Sequence, residues 1–222
     1  MPEETMLFFL KPDAVVRRYV GARALARLLE NDLRVTQFGT LAPSKQFLAE
    51  KHYGIHRGRF FYDWLVDYVS CAPVVALELA GQDAVTRVRR LLGDTIPAQA
   101  DPDSIRGRYG IDGGLNVAHA SDSPENGRRE LEWWGPLFDE ASGGNEEPAA
   151  AARAYVRRYL DGPMIDPLRY RELLASLDGA HPAAGVERAL CDLMRHESDA
   201  EEPRLAALAK IMARSATLRK PD

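Results

Sequence analysis

The stretch from Asn116 to Ser123, Asn-Val-Ala-His-Ala-Ser-Asp-Ser, contains the residues best suited to chemistry. Its single histidine, His119, follows a short apolar segment and precedes small residues that favour the start of a helix. A helix N-terminus presents free N–H groups and a positive dipole end, which suits phosphate chemistry. An imidazole can also act as a nucleophile near neutral pH without a metal or a separate base. The alternative is a structural histidine at a strand end, and this stretch alone does not exclude it.

Candidate phosphate-binding groups occur at three other places. The turn Lys11-Pro12-Asp13 ends an apolar segment, and its lysine could hold a phosphate or simply be solvated. Residues 56–62 (His-Arg-Gly-Arg-Phe-Phe-Tyr) combine cations with aromatic rings, which suits either a nucleobase above phosphates or an inward-packed helix start. Residues 94–110 are predicted as a long loop that contains Thr95 and Arg106, and loops of this length are often functional.

The hydrophobic pattern predicts the elements that must position these residues. Apolar runs predict strands at residues 5–10, 33–41, 73–79 and 115–119, and helices at 19–31, 43–53, 61–69, 84–92 and 124–134. Ser123 is the expected N-cap of the helix after His119, and Gly135-Pro136 is expected to end that helix. The order is a split βαβ pattern. It predicts an α+β, ferredoxin-like fold in which helices cover one face of a four-stranded antiparallel sheet.

Overall composition limits the classes of function. The chain has 222 residues, a formal net charge of −4 and 45% hydrophobic residues, which allows a full core in one or two domains. The mildly acidic balance argues against a nucleic-acid binder. No apolar run suits a signal sequence or a bilayer span, so no membrane association is expected. Cys71 and Cys191 form neither a metal-binding spacing nor a disulfide framework, so a cytoplasmic protein is expected.

Residues 135–222 differ in character from the rest. Ser142–Pro148 has the composition of a linker, and amphipathic helices are predicted after it at residues 149–160, 167–177, 184–196 and 203–216. This region has no strand pattern and no catalytic constellation. We therefore predict a first domain at residues 1–140 and an all-helical C-terminal extension at residues 141–222, whose role the sequence leaves open.

Seven short motifs occur in an order and at spacings that identify a known family. They are Lys11-Pro12-Asp13, Glu50-Lys51-His52-Tyr53, Arg59-Phe60-Phe61, Ala72-Pro73-Val74-Val75-Ala76, Leu92-Gly93-Asp94-Thr95, Ile105-Arg106-Gly107 and the stretch Asn116–Ser123. With these motifs, residues 4–134 resemble nucleoside diphosphate kinases. The resemblance implies a ferredoxin-like core, transfer of a terminal phosphate between nucleoside tri- and diphosphates, and a homo-oligomer, a tetramer or hexamer built from dimers.

The resemblance also implies a role for each matching residue. His119 would be the nucleophile that becomes phosphohistidine, oriented by Glu130 with support from Ser121. The positions that match phosphate contacts are Lys11, Tyr53, Arg89, Thr95 and Arg106. Asn116, together with Lys11, matches the contact to the sugar hydroxyl, and Lys11 also counts among the catalytic groups. Phe61 matches the aromatic residue that stacks on the base, and Leu65 the apolar residue beside it.

The resemblance further implies that Mg²⁺ arrives with the nucleotide, bridging its phosphates, so no residue is assigned as a direct metal ligand. Asp122 is the acid that could approach the metal through water, or it could simply cap the following helix. Three positions depart from the family pattern. Ala14 replaces a usual glycine, Ile96 a usual asparagine, and Gly113 a usual apolar residue.

Two alternatives to a simple kinase stay open. The chain could be a non-catalytic, nucleotide-binding or scaffolding relative that acts through its helical extension. It could also be an active enzyme whose extension regulates it or contacts another subunit. The presence of His119, Lys11, Arg106 and Glu130 favours an active enzyme, because a degenerate site normally loses such residues first.

Overall fold

A four-stranded antiparallel sheet lies at the centre of the computed structural model, which describes residues 3–141, 147–177 and 183–218. Its strands are β1 (Glu4–Leu10), β2 (Arg34–Leu41), β3 (Val74–Gly81) and β4 (Ala118–Ala120), in the spatial order β2-β3-β1-β4. The predicted ferredoxin-like sheet is therefore confirmed. β4 is shorter than predicted, because the chain makes a tight turn at Val117, where φ is +77°.

Helices connect the strands within residues 3–141. They are α1 (Pro12–Val16), α2 (Arg18–Leu29), α3 (Lys45–Phe47), α4 (Tyr62–Ser70), α5 (Ala84–Leu92), α6 (Ile105–Tyr109) and α7 (Pro124–Ala141). The helix predicted over residues 43–53 is divided into α3, a π-helical turn at Leu48–His52 and a 3₁₀ turn at Gly54–His56. The predicted long loop contains α6, whose first turn is capped by the Ser104 hydroxyl.

The prediction that Gly135-Pro136 ends the helix after His119 was wrong, since α7 continues to Ala141. Proline inside a helix removes one backbone hydrogen bond and costs about 3 kcal/mol. Trp134 and Phe138, four residues apart on one face of α7, are both almost completely buried. Burying two such aromatic side chains contributes about 2–3 kcal/mol each and outweighs the loss.

Helices cover both faces of the sheet, not one face as predicted. Met6 and Phe8 point into a core shared with α2 and α5, while Leu7 and Phe9 point into a core shared with α4 and α7. The apolar run of β1 is therefore buried on both sides, as in a central strand without a solvated face.

The C-terminal helices pack directly on this framework. They are α8 (Pro148–Tyr159), α9 (Pro167–Ala175), α10 (Ala183–Glu197) and α11 (Glu202–Thr217). α8 lies against α2 and the edge strand β2, and α11 lies against α4. Trp64 of α4 donates its indole N–H to the Ile211 carbonyl at 2.9 Å.

The predicted division between residues 140 and 141 stays a prediction, because one hydrophobic core contains residues from both sides of it. Residues 142–146 of the predicted linker lie outside the described residues, while Glu147 caps α8. In the part of the chain that the structure describes, no helix has the length and apolar character needed to cross a membrane.

Candidate active site

His119 lies on the short edge strand β4, directly opposite Phe9 of β1. Its imidazole stacks on the Phe9 ring with a centroid distance of 4.8 Å and an interplanar angle of 20°. The ring of His52 approaches it edge-on at 4.5 Å. The side chain of His119 stays 19% exposed. The imidazole is thus held between rings and remains open to a ligand.

Glu130, on the second turn of α7, fixes the orientation of this imidazole. Its Oε2 lies 3.2 Å from His119 Nε2 and accepts a hydrogen bond of 2.6 Å from the Ser121 hydroxyl. Burial acts to raise the pKa of Glu130, but His119, His52 and Ser121 together bring it below its usual value. A carboxylate only accepts hydrogen bonds, so Nε2 is the donor in this bond, and a neutral imidazole then has its lone pair on Nδ1.

Lys11 and Asn116 form a buried polar pair beside this strand. The Lys11 ammonium donates to Asn116 Oδ1 at 2.7 Å and to the Gly114 carbonyl at 3.2 Å. The Asn116 amide donates in turn to the Thr95 carbonyl at 2.8 Å, which connects the predicted loop to the site. Burial, together with Arg106, lowers the pKa of Lys11 to about 7.

Arg106, on α6, reaches the same strand. Its guanidinium donates to the Gly93 carbonyl at 3.1 Å and to the Ala118 carbonyl at 3.0 Å, one residue before His119. Its Nε is buried and has no hydrogen-bond partner among the described residues. Burial and then the neighbouring Arg89 lower the pKa of Arg106 to about 10. Arg106 thus keeps its charge at neutral pH and has a donor left for a ligand.

A strained turn at Val117 positions Asn116 and His119. Asp13 stabilises this turn, a role that the sequence did not indicate. The Ala118 N–H bonds to the Asn116 carbonyl, and a β-branched residue with positive φ is costly there. The buried Asp13 carboxylate accepts the Val117 N–H at 3.2 Å and also bonds the Tyr68 hydroxyl. The burial that raises the pKa of Asp13 is invisible in the Lys11-Pro12-Asp13 motif.

A row of aromatic rings extends from His119 towards Phe61. His52 contacts Tyr53 at 4.5 Å, Tyr53 contacts His56 at 6.2 Å, and His56 contacts Phe61 at 5.6 Å between centroids. The buried Tyr53 hydroxyl and His52 Nε2 find no partner among the described residues. Burial, and then the neighbouring His119, lower the pKa of His52 well below its usual value.

The remaining predicted site residues surround this group. Phe61 is half-buried at the start of α4 and accepts a backbone bond from the buried Leu65. Arg89 is exposed in the last turn of α5, and Thr95 is exposed in the loop before α6. Asp122 is exposed, and its carboxylate bonds the Asn126 amide in the first turn of α7.

The predicted capping of α7 is confirmed separately. The Ser123 hydroxyl accepts the Asn126 N–H at 3.1 Å. The helix therefore begins where the sequence predicted, and its second turn presents Glu130 to His119.

In the part of the chain that the structure describes, the site has no set of ligands suited to Mg²⁺. Among the described residues, the cluster able to share an ion consists of His52, His119 and Glu130. Mg²⁺ prefers oxygen ligands in octahedral geometry, whereas two of these three groups are imidazoles. The residues present therefore do not fit a resident Mg²⁺.

The sequence missed Phe9 and His52 as parts of the site. Phe9 carries only the signal of an apolar strand, so nothing local marks it as the surface beneath a reactive imidazole. His52 stands in the motif Glu50-Lys51-His52-Tyr53, and its position next to Tyr53 was the signal that could have identified it.

Known proteins that are similar to this chain share one family description. The nucleoside diphosphate kinase family model matches residues 3–140. The nucleoside diphosphate kinase of Methanothermobacter thermautotrophicus is 41% identical over 138 residues, which cover 62% of this chain and 89% of that protein. That of Methanosphaera stadtmanae is 44% identical over 131 residues, 59% of this chain and 83% of the relative.

The fold resembles solved structures of the same family. The crystal structure of the Aquifex aeolicus nucleoside diphosphate kinase has a TM-score of 0.57 and 34% sequence identity, with 62% of this chain and 99% of that chain covered. The family model ends at residue 140, so the helices α8–α11 lie beyond the family domain. The chain therefore belongs to the nucleoside diphosphate kinase family and is an enzyme of that family.

Proposed function

We propose that the protein transfers the terminal phosphate of a nucleoside triphosphate to a nucleoside diphosphate through a phosphohistidine at His119. The observation that carries the proposal is the bond between Glu130 and His119 Nε2, which leaves the Nδ1 lone pair available. Buried donors without partners among the described residues, Arg106 Nε and the Tyr53 hydroxyl, suit a polyanionic ligand beside it.

In the first half-reaction, Nδ1 of His119 attacks the γ-phosphorus. A P–N bond forms while the bond from phosphorus to the bridging oxygen breaks, and the nucleoside diphosphate leaves. The second half-reaction is the reverse with another diphosphate, which gives ping-pong kinetics. Such transfers depend on positioning and charge stabilisation. Glu130 orients the imidazole, and it stabilises the positive charge that develops on the ring.

The cations and donors of the site are assigned to the nucleotide. Lys11, Arg106 and the exposed Arg89 supply positive charge, and the fork of an arginine suits two phosphate oxygens at once. The other phosphate contacts proposed are the Tyr53 hydroxyl and Thr95. Lys11 and Asn116 also meet the sugar hydroxyl.

The base is proposed to stack on Phe61 near Leu65. Stacking accepts every base, so one site can serve different donors and acceptors. At Gly113, where the family usually has an apolar residue, an added Cβ would meet no atom within 4 Å, so no side chain fills this position. We therefore expect weak selection among bases.

Magnesium belongs to this proposal as part of the substrate, bound to the nucleotide phosphates, with Asp122 the acid that could approach it through water. A homo-oligomer, a dimer-based tetramer or hexamer, is also proposed, as is a cytoplasmic location, which the free thiols of Cys71 and Cys191 support. Light scattering of the full chain tests the oligomer.

The experiment that tests the function is a label transfer. The protein is incubated with γ-labelled Mg-ATP, separated from nucleotide, divided between acid and base, and then chased with GDP. The proposal expects an acid-labile, base-stable label that moves to GDP. A protein that binds nucleotide but takes up no label would be the scaffolding relative instead.

The pKa of Lys11 predicts how nucleotide binding depends on pH. Lys11 is charged below its pKa of about 7 and neutral above it, and a bound phosphate favours the charged form. Affinity for Mg-ADP should therefore be highest below pH 7 and fall as the pH rises, by at most about tenfold per pH unit, with proton uptake on binding. Calorimetry in buffers of different ionisation enthalpy measures this uptake.

The phosphates of the nucleotide also titrate in this range, so Lys11→Met is the control that isolates the lysine. Arg106 and Asp13 are the other charged groups that act on Lys11, and both remain in this variant. Equal proton uptake by Lys11→Met and by the natural chain would contradict the assignment.

A further inference from the structure

The C-terminal extension holds the last turn of α6, the short helix that carries Arg106. Arg171 of α9 donates from Nη2 to the Gly107 carbonyl at 3.0 Å. It donates to the Gly110 carbonyl from Nε at 3.1 Å and from Nη2 at 2.6 Å. The final carbonyls of a helix lack partners within it and form its negative end. The guanidinium of Arg171 satisfies them with a cation from outside the family domain.

A second arginine, Arg17, bonds a carbonyl that lies between those of Gly107 and Gly110 in the chain. Arg17 donates to the Tyr109 carbonyl at 3.1 Å, and its side chain is completely buried. It is held by residues of the extension: Glu197 of α10 lies 3.3 Å from its Nε, and the Tyr170 ring of α9 lies 4.6 Å from its guanidinium carbon. The hydroxyl of Tyr170 also bonds Glu197. Arg171 of α9 and Arg17, which contacts α9 and α10, therefore both bond carbonyls at the C-terminal end of α6.

α6 depends on such contacts more than a longer helix would. It contains five residues, and isolated helices of this length are not stable in water. Arg106 projects from α6, and its guanidinium donates to the Ala118 carbonyl beside His119. A small displacement of α6 would thus shift the guanidinium relative to a phosphate on His119, and misplacement by about 1 Å can cost 100-fold in rate.

We propose that Arg171 is a positioning residue for Arg106, and that the extension serves to hold the phosphate-binding helix in place. The proposal rests on the proposed function, because it takes Arg106 to contact nucleotide phosphate. It gives the extension a role within its own subunit. The alternative is that Arg171 merely attaches α9 to the domain, in which case its loss would affect stability and not act through Arg106.

A double-mutant cycle on the full chain distinguishes positioning of Arg106 from simple attachment of α9. Mg-ADP affinity is measured by calorimetry for the natural chain, Arg171→Ala, Arg106→Ala and the double variant. Arg171→Ala is expected to weaken binding about tenfold alone and to have no further effect when Arg106 is already alanine. Arg169→Ala is the matched control, since Arg169 is an exposed arginine of the same helix, and it should bind as the natural chain does.

Equal effects of Arg171→Ala in both backgrounds, or no effect in either, would overturn the proposal. Should Arg171→Ala fail to fold, the cycle uses Arg171→Lys, which keeps one charge but loses the planar fork. This variant should show a smaller loss that again requires Arg106.

A second measurement does not depend on nucleotide. Hydrogen exchange of the amides of residues 105–110 should be about tenfold faster in Arg171→Ala than in Arg169→Ala. Unchanged exchange would refute the positioning role even if the natural chain took up no phosphate. Absence of label on the natural chain would instead refute the proposed function and leave this comparison valid.

Discussion

His119→Ala is expected to take up no label from γ-labelled ATP and to lose nucleoside diphosphate kinase activity by at least about 10⁴-fold. The imidazole Nδ1 is the nucleophile of the first proposed half-reaction and the leaving group of the second, so its removal leaves no covalent intermediate. The variant should still bind Mg-ADP, because Lys11, Arg106 and Tyr53 are unchanged. Loss of labelling with binding retained therefore distinguishes removal of the nucleophile from damage to the site.

The matched control is His196→Ala, which removes an exposed histidine on α10. It should label and turn over as the natural chain does. Acid and base lability of the label are compared in all three proteins. Equal acid-labile label on His119→Ala and on the natural chain would show that another residue carries the phosphate.

Arg106→Ala is expected to lower kcat/KM by about 10³-fold, and to slow both half-reactions to a similar extent. Arg106 is bonded to the Ala118 carbonyl next to His119, so its guanidinium lies beside the transferred group whichever nucleotide is present. Its buried Nε, which has no partner among the described residues, can donate a further hydrogen bond to the phosphate. Arg106→Lys should recover only part of the loss, because an ammonium lacks the planar fork.

Single-turnover measurements test this separately for phosphorylation by ATP and for dephosphorylation by GDP. Arg108→Ala is the matched control, since Arg108 is an exposed neighbour on α6 that pairs with the exposed Asp103 at 2.7 Å. It should change neither rate by more than about twofold, as expected for a surface ion pair. A loss confined to one half-reaction would contradict the role given to Arg106.

Much of the fold follows from local sequence patterns. Short apolar runs place β1, β2 and β3 within one or two residues of their observed bounds, and Ser123 caps α7 as predicted. These features depend on neighbours within one element, which is why they can be read locally. The tight turn at Val117 and the continuation of α7 through Pro136 could not be read this way. Distant packing, by Asp13 in one case and by the buried Trp134 and Phe138 in the other, outweighs the local preference.

The sequence by itself determined the residue types of the site and the family they resemble, since the motifs preserve both type and spacing. Only the tertiary structure decided how those residues act on one another. Lys11 bonds Asn116, which lies 105 positions away in the sequence. The burial of the Lys11 side chain at this contact lowers the pKa of Lys11 to about 7. Arg171 meets Gly110 across 61 positions, which attaches the extension to the helix of Arg106. Charge state and orientation depend on burial and on partners remote in sequence, so they arise only when the chain is folded.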